Sequence, residues 1–282
     1  MEQRPGGLSG RLERAQDRVE EPRPAVRPPA EETAPRAPVS GRGLCRSCGA
    51  ANPGPGALCA VCGEPVSGVL EFELWGNAIR IGLEPGQQIY APLGSLSWMS
   101  NSLELVELPE DDPWSQFDAP GIAGVGPLVR FTAPRQAGNV VLTSHTPGAV
   151  RSLAITRGQE YLVNSSAFLV AQETVSPGAP VDLRQSSPEL RRGTVLRRLG
   201  GRGLICFQTG GEGREVELRE GEQLLADPDA MALARATVSI GPAEAFAGIR
   251  QRLGQSVLVE IVGPGTIWFQ SASPARLQGR LS

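Results

Sequence analysis

From Val69 onward the chain is written as short apolar stretches punctuated by glycine, and many of them alternate two kinds of position with a period of two, as strands do. In "SVLVEIVGPGTIWFQS", Val257, Val259 and Ile261 point one way and Leu258, Glu260 and Val262 the other; past the turn, Ile267 and Phe269 oppose Trp268 and Gln270. Both faces are apolar enough to expect cover on both sides. The same form, strand, Gly or Pro turn, strand, recurs in "PLVRFTAPRQAGNVVLTS" near 127 and "GLICFQTGGEGREVELRE" near 203, and predicts a hairpin at each of the three places. A second grammar recurs between them. "LEPGQQIYAPLGSLSWMS" from Leu83, "ITRGQEYLVNSSAFLVAQ" from Ile155 and "LREGEQLLADPDAMALAR" from Leu218 each carry a Gly (Gly86, Gly158, Gly221), then Gln or Glu, an apolar run, a polar turn and an alternating strand. Three copies predict a mainly β fold with internal pseudo-threefold symmetry. Two stretches read as helices instead: "GPAEAFAGIRQRLG" from Gly241, where Phe246, Ile249 and Leu253 fall at helical spacing, and "SPELRRGTVLRRLG", with Ser187 as N-cap and Pro188 at the first helical position.

Composition divides what precedes this region. Residues 1–41 are Arg, Glu, Pro and Ala with hardly a side chain for a core, and read as a disordered tail. A cysteine module follows over 42–66, the β domain over 69–273, and a short C-terminal tail over 274–282. The 35 glycines and 25 prolines suit many strands joined by turns.

A formal charge of -3 gives no global pull toward nucleic acid or anionic lipid. Every basic residue is Arg, which removes lysine-based chemistry, Schiff bases and the phosphate-binding lysine of a P-loop included. No apolar run is long enough to span a bilayer, and the charged start "MEQRPGGLSGRLERAQDR" is not a signal peptide, so the expected location is the cytoplasm.

In a reducing compartment, closely spaced cysteines point to metal. Cys45, Cys48, Cys59 and Cys62 form C-x2-C-x10-C-x2-C, with Gly49 and Gly63 after the two pairs. Four thiolates suit tetrahedral Zn2+ and leave no open position for water or substrate, so the module is expected to be a structural zinc ribbon and a surface for a protein partner. Iron in a four-cysteine site satisfies the same ligand count.

The closing "GPGTIWFQS" (263–271), preceded by "SVLVEIV", resembles the altered-inheritance-of-mitochondria 24 family, as do "GSLSWMSNSLELVE" (94–107), "FLVAQETV" (168–175) and "GRGLICFQTGG" (201–211), in the family's order. The resemblance covers roughly 69–273. It implies a β-sandwich or barrel-like domain similar to the tryptophan RNA-binding attenuator protein (TRAP-like), self-association into rings or trimers, and no established enzyme activity. The acidic stretch 107–126 departs from the family pattern, and the cysteine module is an addition to it.

The remaining chemistry is sparse. His145 is the single histidine and reads as a polar turn residue; Cys206, in "LICFQ", reads as a core thiol. Asp111 and Asp112 form a plain loop pair, and the Gly-rich turns lack the ending of a phosphate loop. Arg191, Arg192, Arg197, Arg198 and Arg202 cluster at helical spacing and are candidate contacts for RNA phosphate or anionic lipid, although such a run is more often a solvated face. Trp75, Trp98, Trp114 and Trp268 offer stacking surfaces, with packing the expected use of Trp98 and Trp268. These observations favour a noncatalytic, self-associating assembly protein. An RNA- or small-molecule-binding module is the alternative, and an enzyme ranks last.

Overall fold

The computed structural model describes residues 39–44, 70–117, 126–183, 195–243 and 258–272. In chain order these form β1 (Val39–Leu44), β2 (Leu70–Trp75), β3 (Ala78–Leu83), β4 (Gln88–Pro92), β5 (Leu96–Met99), β6 (Glu104–Glu107), β7 (Leu128–Thr132), β8 (Gly138–Thr143), β9 (Gly148–Ile155) and β10 (Tyr161–Asn164). They continue as β11 (Phe168–Gln172), β12 (Val175–Asp182), β13 (Val195–Gly201), β14 (Gly203–Gly210), β15 (Gly213–Leu218), β16 (Gln223–Ala226), β17 (Met231–Arg235), β18 (Ser239–Pro242), β19 (Val259–Val262) and β20 (Gly265–Gln270). The fold is mainly β, and the helical turns among the described residues are single 3-10 turns such as Leu93–Ser95 and Pro228–Ala230.

Among the described residues the strands form four antiparallel sheets and no closed barrel. Their orders are β1-β2-β3-β8-β5, β6-β7-β4-β11-β14-β9, β12-β13-β10-β17-β20-β15 and β16-β19-β18. Three buried clusters sit between them. One gathers Ile79, Ile81, Phe131 and Leu142, a second Phe168, Phe207, Trp114 and Leu233, and the third Leu196, Met231, Ile261 and Ile267.

The Gly-then-Gln/Glu grammar has a direct structural cause. Gly86, Gly158 and Gly221 each turn the chain with φ of 83°, 81° and 74°, a region that costs a Cβ-bearing residue about 1–2 kcal/mol. The side chain that follows closes the same turn. Gln87 Oε1 accepts from the Glu84 amide at 2.8 Å, Gln159 Oε1 from the Thr156 amide at 3.3 Å, and Glu222 Oε2 from the Arg219 amide at 3.0 Å.

The predicted hairpins do not form. β7 and β8, β14 and β15, and β19 and β20 are consecutive strands joined by Gly- or Pro-bearing turns, but the two members of each pair lie in different sheets. The same turn residues serve a hairpin and a corner between layers, and strands apolar on both faces gain more burial by covering one another than by pairing. The helix expected over "SPELRRGTVLRRLG" is also corrected where it is described: Val195–Gly201 is a strand, laddered to β10 on one side and β12 on the other. Ladders on both edges outweigh the few tenths of a kcal/mol per residue of local propensity. The remainder of that stretch lies outside the described residues. So does most of the other predicted helix, of which Gly241 and Pro242 belong to β18.

Candidate functional site

The acidic connection that follows β6 supplies the aromatic centre of the second core. Asp112 Oδ1 accepts from the Trp114 amide at 2.9 Å, and Ser115 Oγ donates to the Asp112 carbonyl at 2.7 Å, which folds "DDPWSQF" into a tight turn. That turn drives Trp114 and Phe117 inward. Trp114 stacks on Tyr90 with centroids 4.9 Å apart, and Phe117 meets Phe168 at 4.5 Å. The signal missed in the sequence was the pair of aromatics three residues apart inside a polar loop.

Arg197 on β13 places its guanidinium carbon 5.6 Å from the centroid of Phe117. Beside it lies a cleft lined by Asp111, Pro113 and Phe117 from this connection and by Pro177 to Pro180 on β12, where the register against β13 slips. The lining groups include one carboxylate and one guanidinium but no nucleophile set beside a base.

The arginines proposed as a cluster are used separately. Arg197 is buried against Phe117, whereas Arg198, its neighbour on the strand, is directed to the other face and pairs with Glu160 at 2.8 Å. Arg202 lies beyond β13, in the turn to β14, where its amide donates to the Thr174 carbonyl at 3.1 Å. Arg191 and Arg192 lie outside the described residues, as do Cys45, Cys48, Cys59 and Cys62. Among the described residues no group of three or more His, Cys, Asp or Glu side chains converges as a metal site.

Burial shifts the other titratable groups. Cys206 is wholly buried on β14, and burial pushes its thiol far above the ordinary range. His145 sits in the turn between β8 and β9. Burial pulls its pKa below the usual value, and its Nε2 has no hydrogen-bond partner. Burial likewise raises the Tyr90 and Tyr161 hydroxyl pKa values, with the Asp112 carboxylate adding to the effect on Tyr90. Of the tryptophans, Trp114 is buried and Trp268 is packed against Tyr161 and Phe207, while Trp75 and Trp98 are exposed.

Residues 73–272 match the family described as Mitochondrial biogenesis AIM24. The chain belongs to the AIM24 family. Its fold is similar to the X-ray crystal structure of protein SPYM3_0169 from Streptococcus pyogenes, with a TM-score of 0.61, 17% identity, and coverage of 75% of this chain and 98% of that one. At that identity the likeness is one of fold. No curated protein matches the chain. No helix among the described residues is long and apolar enough to cross a membrane. Membership of the AIM24 family fits a molecular function that is not established.

Proposed function

We propose that this AIM24-family chain is a noncatalytic assembly protein: a TRAP-like β core built of three related strand sets, which associates with further copies of itself and carries a four-cysteine zinc module on its N-terminal side. The observation that carries the reading is the exposure of large apolar side chains on two strands, β5 and β16, that each end a sheet. The separation of Arg197 and Arg198, one against Phe117 and the other paired with Glu160, favours this over RNA binding. The zinc module rests on the spacing of Cys45, Cys48, Cys59 and Cys62 alone. A cytoplasmic setting keeps those thiols reduced and free to bind metal.

Native mass spectrometry of the full chain, purified without added metal, tests the reading. The expected species is a homo-oligomer with one zinc per chain. A monomer carrying a retained nucleotide or small molecule would replace assembly with ligand binding, and a metal-free oligomer would remove the zinc module while leaving the core reading intact.

A further inference from the structure

The sheet orders contain the same arrangement more than once. After Gly86 the strands β4 and β5 follow; after Gly158, β10 and β11; after Gly221, β16 and β17. In each set the second of these strands pairs with the last strand of its set: β5 with β8, β11 with β14, β17 with β20. Each of those ladders slips at the corresponding place, between Leu96 and Trp98, Phe168 and Val170, and Met231 and Leu233. The first strand of each pair is likewise bordered by its own set: β4 by β7, β10 by β13, β16 by β19.

The sets are then stitched in order. β4 pairs with β11, joining the first set to the second, and β10 pairs with β17, joining the second to the third. The third junction of this kind, β16 with β5, is not made: β16 ends one sheet and β5 ends another. The consequences are visible in burial. Trp98 is 48% exposed, while the residues at its place in β11 and β17, Val170 and Leu233, are 1% and 0% exposed. Leu225 is 44% exposed, while Tyr90 and Leu162, at its place in β4 and β10, are 8% and 4% exposed.

We propose that these two edges are the contact between copies of the chain, β16 of one copy laddering antiparallel to β5 of the next. The occupant is fixed by the two junctions already present. The edge of β16 has the form that receives a strand of the β5, β11 and β17 type, and the β11 and β17 strands are already engaged. The register follows from the same junctions. Ala171 faces Tyr90 and Gln172 faces Ile89 in one; Ala234 faces Leu162, Arg235 faces Tyr161 and Leu233 faces Val163 in the other. Carried across, Leu225 faces Met99, Leu224 faces Ser100 and Ala226 faces Trp98. The contact is apolar at its centre and would pair the outer main-chain groups of two strands that each end a sheet, which is the chemistry of strand addition to a sheet edge. Because the two edges differ, copies joined this way close into a ring or continue as a chain.

This inference rests on the self-association proposed above and specifies its surface. In the full-length protein, Met99→Cys and Leu225→Cys variants are co-expressed as separate chains, alongside Trp98→Cys with Ala226→Cys; opposed pairs alternate along an antiparallel ladder, so one of the two combinations falls at the closer Cα spacing suited to a disulfide. Oxidation is expected to give a species of twice the chain mass in at least one combination, with the introduced thiols joined by peptide mapping, and at least tenfold less of it from the out-of-register pair Ser97→Cys with Leu225→Cys. Equal yields in and out of register, or none, would overturn the proposal. So would a Met99→Cys/Leu225→Cys double variant that cross-links only within one chain, since the third junction would then be internal. Native mass of the unmodified protein separates the two levels: an oligomer without the in-register cross-link sinks this surface alone, whereas a monomer sinks self-association itself.

Discussion

Gln208 is a buried amide on β14 that holds two turns at once. Its Nε2 donates to the Ser166 carbonyl at 2.6 Å, in the turn between β10 and β11; its Oε1 accepts from the His145 amide at 2.8 Å and from Ser144 Oγ at 2.6 Å, in the turn between β8 and β9. Replacement by Leu keeps the volume and removes all of these. The single Ser144 Oγ proton has the Thr146 carbonyl at 2.7 Å as its other acceptor, so the groups stranded are the His145 N–H and the Ser166 C=O. Each buried orphan costs about 1–3 kcal/mol, which sets the expected loss for Gln208→Leu at about 2–6 kcal/mol. Against a total stability of about 5–15 kcal/mol this is a large fraction. The measurement is urea unfolding followed by tryptophan fluorescence, with an expected fall in midpoint of about 0.7–3 M for a slope of about 2–3 kcal/mol/M. Gln270→Leu is a second instance of the same design, because its Nε2 donates to the Asp229 carbonyl at 3.1 Å and its Oε1 accepts from the Gly210 amide at 3.0 Å. A loss below about 1 kcal/mol in both variants would refute the idea that these amides clamp the turns.

Three further expectations follow from the same contacts. His145 has a folded pKa below 6.5, so the unfolded chain binds more protons in that window; its contribution is intact above pH 6.5 and is lost as pH falls toward the folded value, and His145→Gln should flatten that part of a stability–pH curve. Gly148 faces Gly210 across β9 and β14, and a Cβ there runs into the Thr209 carbonyl oxygen; Gly148→Ala is expected to cost about 2–3 kcal/mol by thermal unfolding, and a neutral result would mean that the ladder shifts freely. The Arg198–Glu160 pair is exposed, so Arg198→Gln should change stability by less than about 1 kcal/mol, with a larger loss in the melting curve pointing to packing of its stem across Gly178.

Much of the strand content was legible because alternation along a strand follows from the period of two in its side chains. "SVLVEIV" and "TIWFQ" announce β19 and β20, and Cys206 sits in the core as its neighbours required. The Gly turns were legible too, since a positive φ demands glycine and the adjoining Gln or Glu is needed to close the turn. What alternation does not carry is the identity of the partner. Main-chain ladders accept any strand, so nothing in "PLVRFTAPRQAGNVVLTS" says that its two strands enter different sheets. The same gap explains the arginines. Helical spacing grouped Arg197, Arg198 and Arg202, but pairing on both edges drew Val195–Gly201 into a strand, which sends Arg197 to Phe117 and Arg198 to Glu160. The aromatic connection after β6 was decided at the same level, because Trp114 and Phe117 find their pocket only where β4 and β11, distant in sequence, are paired and bring Tyr90 and Phe168 into one core.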